Sequence, residues 1–417
     1  MSKPATAAEV VIVGGGPAGL ACALELRGRE VAPLVVERES EPGGIPRHCA
    51  HQGFGLRDLR RVMSGPGYAR RYAGLAQRGG VEVATETMVT GVSAGGELEL
   101  TSPQGRRRLA PRAVVLATGC REHSRSARLV AGSRPEGVLS TGMLQQLVHV
   151  HGVSPGRRAL VVGAEHVSFS ALATLRRGGA RALAMVTEHE RHASLAAFRL
   201  GGAAVYRVPL WTGTRVAAIH GRARVERVDL ESADGDATRS VDCDTVVFTA
   251  DWIPDHELAV AAGLGLDPGT RGPVVDAALR TSRPGWFAAG NVLHGAETAD
   301  VAALEGRHAA AGVIAFLAGA VWPAARAPIL CEPPLAWAAP NAIAAGELAP
   351  PRGRFSLRAD RFLSRPRIEI AQSGRSLWRG TVRRLGPGRS SRLPSAWSRE
   401  ADPSAESIVV RTLSAGD

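Results

Sequence analysis

Val10-Val11-Ile12-Val13-Gly14-Gly15-Gly16-Pro17-Ala18-Gly19-Leu20 is the stretch that decides the fold. Four β-branched residues in a row read as a strand buried on both faces, and Leu20 to Leu26 reads as a helix with little bulk on its near side. Between them Gly14-x-Gly16-x-x-Gly19 has a task for each glycine. The first permits a tight turn, the second lets backbone approach a pyrophosphate, and the third lets the helix pack on the strand. Pro17 and Ala18 open that helix, whose unpaired N–H groups and positive dipole end attract phosphate. A second apolar run, Leu34 to Val36, ends in Glu37 and Arg38. It completes a βαβ unit with an acid at the strand tip, where an adenosine ribose would donate hydrogen bonds to it.

Further along, a loop rich in Gly, Pro and His leads to a helix through Tyr68 to Gln77 and a strand over Val81 to Ala84. Short alternating runs from Met88 to Ala117, separated by Gly and Pro turns, read as a β-meander that ends in Ala117-Thr118-Gly119. The same order of parts then recurs. Ala159 to Val162 reads as a strand, Gly163 to Ser168 as a turn, Ala171 to Arg177 as a helix and Leu183 to Val186 as a strand. A second meander spans Arg215 to Asp242, and Thr245 to Thr249 mirrors the strand before Thr118. The expectation is an α/β protein with two Rossmann-like dinucleotide-binding domains, each carrying a β-meander, the second inserted in the first. Beyond Leu330 the alternating runs Arg367 to Ile370 and Ser407 to Val410 point to a small β-rich C-terminal module.

The second glycine turn is damaged. Gly163-Ala164-Glu165-His166-Val167-Ser168 places Glu165 at the second glycine position, where a side chain blocks the diphosphate and a carboxylate repels it. Against that, Glu188 stands at the next strand tip, where an NAD-selective acid belongs. Glu188 to His192 also reads as a solvated loop, which is the reading preferred here.

Composition narrows the function classes. The chain has 417 residues, 45% hydrophobic and 22% charged, with 49 glycines, which fits a Gly-rich α/β protein of two or three domains. Its net charge of +12 raises the question of nucleic acid. Yet the arginines are scattered among acids, and Arg106 to Arg108 is their one tight run, so no nucleic-acid partner is expected. Cys22, Cys49, Cys120, Cys243 and Cys331 are too few and too widely spaced for a metal site or a disulfide scaffold. Met1 to Glu9 lacks an apolar signal core, and Ala309 to Ala325 is short for a transmembrane segment, so a cytoplasmic protein is expected.

The chain resembles flavoproteins with two dinucleotide-binding domains, the pyridine nucleotide-disulfide oxidoreductase superfamily, over about Glu9 to Ala325. The resemblance rests on the first glycine loop, on Ala117-Thr118-Gly119, and on Trp286-Phe287-Ala288-Ala289-Gly290-Asn291, where relatives have a strand ending in Gly-Asp. It implies FAD as cofactor, held by Gly14, Gly16, Pro17, Ala18, Gly19, Glu37, Arg38, Gly44, Thr118, Gly119, Gly290, Asn291, Thr298 and Ala299. In relatives the Asp binds the ribityl chain, a role that Asn291 can keep without the charge. Thr298 is expected to cap the helix facing the flavin pyrimidine. The implied domains are an FAD-binding domain over 1–123 and 251–330, an NAD(P)-binding-like domain over 124–250 with Gly163, Glu165 and Glu188 as the possible nicotinamide site, and the module over 331–417.

The redox disulfide of those reductases is missing, because Phe54 stands where a partner for Cys49 would be. Gly43-Gly44-Ile45…Cys49-x-His51-x-Gly53-Phe54-Gly55 instead resembles the flavoprotein subunits of opine oxidase and hydrogen cyanide synthase. That implies a dehydrogenase, or a subunit of one with a partner dehydrogenase subunit, moving a hydride from a small amine, amino-acid or hydroxy substrate to FAD. An NAD(P)H-dependent reductase or oxidase and an RNA-modifying flavoprotein are the alternatives. His48, Cys49 and His51 are the candidates for catalysis, the histidines as proton exchangers and Cys49 as a thiolate beside two imidazolium groups. The competing reading has Cys49 packed and the histidines hydrogen-bonded. His256, His294 and Glu297 complete the candidates.

Overall fold

The computed structural model describes residues 8–194, 205–232, 235, 238–295, 297–346 and 349–414. These form two compact units: one from the segments up to Arg47, Gln52–Cys120 and Pro254 onward, the other from His48–His51 and Arg121–Ile253.

The first unit begins with β1 (Val10–Val13), α1 (Pro17–Arg27) and β2 (Pro33–Val36). After α2 (Gly65–Arg78) and β3 (Glu82–Ala84), a meander of β4 (Met88–Val92), β5 (Leu98–Ser102) and β6 (Gly105–Leu109) leads into β7 (Ala113–Leu116). All four residues of β1, β2 and β7 are buried, as a strand covered by helices on both faces requires.

In the second unit β8 (Val138–Ser140) precedes β9 (Arg158–Val162), α3 (His166–Arg177), β10 (Arg181–Val186) and the short β11 (Leu210–Trp211). A meander of β12 (Thr214–His220), β13 (Arg227–Ser232) and β14 (Thr238–Asp242) then leads into β15 (Thr245–Phe248). The sheet order is β8-β15-β9-β10-β11, parallel throughout. Ala159 and Val161 pack in one apolar cluster and Leu160 in another, so successive residues of β9 feed opposite faces.

Back in the first unit, β16 (Trp286–Ala288) pairs in parallel with β7 and completes the order β16-β7-β1-β2-β3. α4 (Ala299–Leu317) lies against α1 with backbones almost touching, since a Cβ on Gly306 would fall 2.0 Å from the Ala18 carbonyl oxygen. The longer strands that follow are β17 (Arg326–Cys331), β18 (Leu335–Ala339), β19 (Ala342–Ala344), β20 (Arg354–Ala359), β21 (Arg367–Gln372), β22 (Arg375–Thr381), β23 (Ser391–Pro394) and β24 (Ile408–Thr412). They form two sheets, β19-β17-β24-β21-β22 and β18-β20-β23, around their own core of Phe355, Leu357, Ile368, Ile370, Ile408 and Val410. By contact this module belongs to the first unit.

Candidate functional site

The loop after β1 has the shape its glycines foretell. Gly14 holds φ at +110°, and a Cβ there would lie 2.4 Å from the Ala117 carbonyl oxygen. At Gly19 the clash would be 1.9 Å, against the carbonyl of Gly14. Gly16 differs, because its missing side chain meets only the Cα of Gly44, 3.9 Å away. Two glycines are thus closed off by the chain's own backbone, and the third faces open space. α1 begins at Pro17 with no side-chain cap and no acid in its first turn. Leu20 is the first residue whose N–H finds an intrahelical carbonyl, that of Gly16 at 2.9 Å. Among the described residues the amides of Ala18 and Gly19 have no partner, which leaves them directed out of the helix end.

Glu37 braces the rim of this loop. Its buried carboxylate accepts the Gly15 N–H at 2.8 Å and the Glu39 N–H at 2.9 Å. Arg38 points outward and pairs with Glu39 at 3.8 Å. Gly43 donates its N–H to the Gly15 carbonyl at 2.7 Å, and Gly44, at φ +61°, has room for no Cβ, which would come within 2.9 Å of the Gly16 Cα.

Two further segments of the same unit complete the cradle. Thr118 donates its hydroxyl to the Asp255 carbonyl at 2.7 Å, and Gly119 takes φ +81°. Beyond β16, Gly290 at φ +80° would strike Ala18 with any Cβ. Asn291 accepts the Glu297 N–H at 3.0 Å and donates to its carbonyl at 3.2 Å, so the amide expected at a ribityl chain staples its own loop. Thr298 occupies the N-cap position of α4 ahead of Ala299, but the expected side-chain cap is corrected. Its hydroxyl donates to Asp300 at 2.5 Å, and Asp300 takes the Val301 N–H instead.

The reason lies in residues the sequence did not mark. Arg57 donates its backbone N–H and its guanidinium to the buried carboxylate of Asp300 at 3.0 and 3.1 Å, which fixes that acid at the head of α4. Next to it Asp58 accepts the Tyr68 and Tyr72 hydroxyls at 2.6 and 2.7 Å. Burial, with Asp58 accepting both protons, drives both phenols well above their usual range. His256 is held by the Arg271 carbonyl at 2.5 Å.

In the second unit the corresponding loop is filled from within. Gly163 keeps φ +131°, but Glu165 turns its carboxylate inward. The Ser168 hydroxyl donates to that carboxylate at 3.1 Å and the Thr249 hydroxyl at 3.3 Å, while the Glu165 N–H reaches the Ser168 oxygen. Burial raises the pKa of Glu165 despite these donors. Glu188, at the end of β10, is exposed.

His48, Cys49 and His51 also pack with this unit. His48 and Cys49 are buried and His51 is exposed. Cys49 donates its thiol to the side-chain amide oxygen of Gln145 at 3.3 Å, and burial pushes its pKa up to about 12, with Glu122 adding to the rise. The thiolate reading of Cys49 is therefore corrected: two histidines nearby in sequence do not outweigh loss of solvent around the sulfur.

A family model described as pyridine nucleotide-disulphide oxidoreductase matches residues 8–306. The chain belongs to that family. It is an oxidoreductase of the FAD-dependent class. Its fold is similar to that of thioredoxin reductase from T. acidophilum, at 19% identity and TM-score 0.64 over 75% of this chain and 99% of that one. The bacillithiol disulfide reductase of Bacillus cereus matches at 20% identity and TM-score 0.62 over 74% of this chain and 99% of that one. An NAD-dependent persulfide reductase from A. fulgidus matches at 20% identity and TM-score 0.58, covering 90% of this chain and 70% of that one. No curated protein matches the sequence. All five cysteines of this family member are free thiols, and none of its described helices is long and apolar enough to cross a membrane.

Proposed function

We propose that this chain is an FAD-dependent dehydrogenase, or the FAD-bearing subunit of one, which takes a hydride from a small amine, amino-acid or hydroxy substrate and delivers the electrons to an acceptor other than a nicotinamide nucleotide. FAD, when bound, supplies the hydride acceptor. The chain's own residues do the rest. The free amides of Ala18 and Gly19, at the positive end of α1, suit the negative charge of a diphosphate, and the open, side-chain-free flank of Gly16 leaves room for its approach, while Gly14, Gly44 and Gly290 let the surrounding backbone close up around that turn. Glu37, already oriented by two backbone donors, keeps lone pairs for ribose hydroxyls. His48 and His51, a few residues beyond Gly44 in the chain, are the proposed proton exchangers, and Cys49 is a packing thiol.

The acceptor follows from a single observation: the carboxyl of Glu165 fills the helix start that a nicotinamide dinucleotide would need. A partner subunit or a quinone then takes the electrons, in keeping with the likeness of the Gly43 to Gly55 loop to dehydrogenase subunits. Anaerobic mixing of the holoprotein with stoichiometric NADH tests this. The wild type keeps its yellow colour, whereas Glu165→Gly, at a cost of about 1 kcal/mol for the lost cap, binds NADH at least tenfold more tightly. Fast bleaching of the wild-type flavin would overturn the proposal in favour of an NAD(P)H-dependent reductase.

A further inference from the structure

The segment from Gly290 to Glu305, which carries the third part of the cofactor cradle, is held by the C-terminal module at three points. Ser390, one residue ahead of β23, donates its hydroxyl to the Glu297 carboxylate. Trp337 of β18 stacks on the His294 ring, with centroids 5.0 Å apart and planes 20° from parallel, and the Arg358 guanidinium lies 4.8 Å from the same indole. Arg352, in the turn Pro351–Gly353, places its guanidinium 3.7 Å from the Glu305 carboxylate.

The last of these contacts joins charges that water does not reach. Glu305 and His294 are both buried, with the imidazole 3.8 Å from the carboxylate. Burial opposes charge on either group. For Glu305 it is outweighed by His294 and Arg352, which hold the pKa below the usual carboxylate value, and for His294 by Glu305 and Glu297, which hold the pKa up. Glu305 is therefore an anion at neutral pH, and one of its oxygens has no hydrogen bond among the described residues. A buried anion depends on the few cations that reach it, and removing one leaves a charge with too little compensation. Arg352 reaches it at a conformational cost. Its φ is +60°, a left-handed backbone that glycine adopts freely and arginine does not. Strain of this kind persists only where the surroundings hold it.

The neighbours of Glu305 connect it to the cradle. The Gly290 N–H faces the same carboxylate. Any Cβ on Gly290 would lie 2.7 Å from that of Ala18, and Gly306, next to Glu305 on α4, closes on the Ala18 carbonyl. Ala18 is one of the two residues whose amides are free at the head of α1. The carboxylate thus lies where the third segment of the cradle meets the first, and the C-terminal module supplies a cation that balances it.

We propose that the C-terminal module is a part of the FAD site: through Arg352 it holds Glu305 as a positioning residue for Gly290, and through Trp337 and Ser390 it fixes the loop that runs from Gly290 to α4. This role presupposes that the cradle holds FAD, and wild-type uptake of the flavin checks that separately.

Flavin-stripped full-length protein is titrated with FAD, with binding read from quenching of flavin fluorescence, and hydrogen exchange of the apoprotein is measured beside it. Arg352→Gln is expected to weaken FAD at least tenfold and to lower protection of peptides over 286–305, while peptides over 367–381 in the module keep theirs. Arg352→Lys, which restores the charge, recovers most of the affinity. Val410→Ala removes bulk from the module's own core, and should lower the melting temperature yet leave FAD affinity at the wild-type value. Should Arg352→Gln fail to fold, Ser390→Ala carries the test, with at least a threefold weakening of FAD at an unchanged melting temperature. An affinity within twofold of wild type in the folded variant, a loss as deep in Arg352→Lys as in Arg352→Gln, or an equal loss in Val410→Ala overturns the role of the module. A wild-type chain that takes up no FAD removes the flavin reading of the cradle instead.

Discussion

Gly16 and Gly19 lie three residues apart in one turn and are needed for different reasons. A methyl group on Gly19 has nowhere to go, because the Gly14 carbonyl oxygen is 1.9 Å from where it would sit. Gly19→Ala is expected to destabilise the first unit by about 3 kcal/mol, the upper range for overpacking a rigid site. Gly16 has extended backbone, φ −79° and ψ −173°, which any residue adopts, and its vacant side is open. Gly16→Val therefore folds, with a loss of about 1 kcal/mol at the N-cap, but blocks the diphosphate. Its ratio of flavin to protein absorbance after purification should fall at least tenfold, while the melting temperature of the apoprotein hardly changes. A Gly16→Val chain that stays fully yellow would separate the open side of this loop from cofactor binding.

Elements show where sequence reading works and where it stops. β1, its turn and α1 were legible because strand periodicity, glycine spacing and helix start are encoded within a dozen consecutive residues. Glu165 was legible as an obstruction but not in its conformation, since the Thr249 hydroxyl that draws its carboxylate inward comes from 84 residues away. Thr298 misled for the same reason: Arg57, 243 residues distant from Asp300, decides which side chain serves the head of α4. In the C-terminal module, the alternation of Arg367 to Ile370 in β21 was visible but which of its faces meets solvent was not, because the pairing with β22 and β24 and the core beneath them settle that. The same strand carries a consequence for pH. The Glu369 carboxylate is bonded by Arg411 at 2.8 Å and by Arg379 at 2.8 Å, which holds its pKa down at about 2 from an ordinary 4.5. A lowered folded-state pKa means stability that is present above 4.5 and drains away as pH falls towards 2. Denaturant midpoints of wild type and Glu369→Gln should thus differ most at pH 6 and converge by at least half at pH 3. A gap that is flat across this range would show that the two arginines do not act on this carboxylate.

At the scale of the whole molecule, Gly14, Gly16, Gly19, Glu37, Gly44, Thr118, Gly119, Gly290 and Asn291 all fall in the first unit, and the loop closed by Glu165 falls in the second. A ligand stabilises the structure that binds it by mass action, about 2.7 kcal/mol at one hundred times its Kd. Local opening of that structure is suppressed to the same degree. Hydrogen exchange of apoprotein against FAD-loaded protein therefore reads the assignment directly. Peptides over 10–47, 113–119 and 286–305 should gain at least tenfold protection. Addition of NAD to the loaded wild type should leave peptides over 158–186 unchanged, because their anion-binding helix start is taken by a side chain of the same chain. In Glu165→Gly that start is vacated, and the same peptides should become protected once NAD is added. Protection of 158–186 by NAD in the wild type would mean that the Glu165 carboxyl yields to a dinucleotide, and the acceptor would then have to be sought among the nicotinamides.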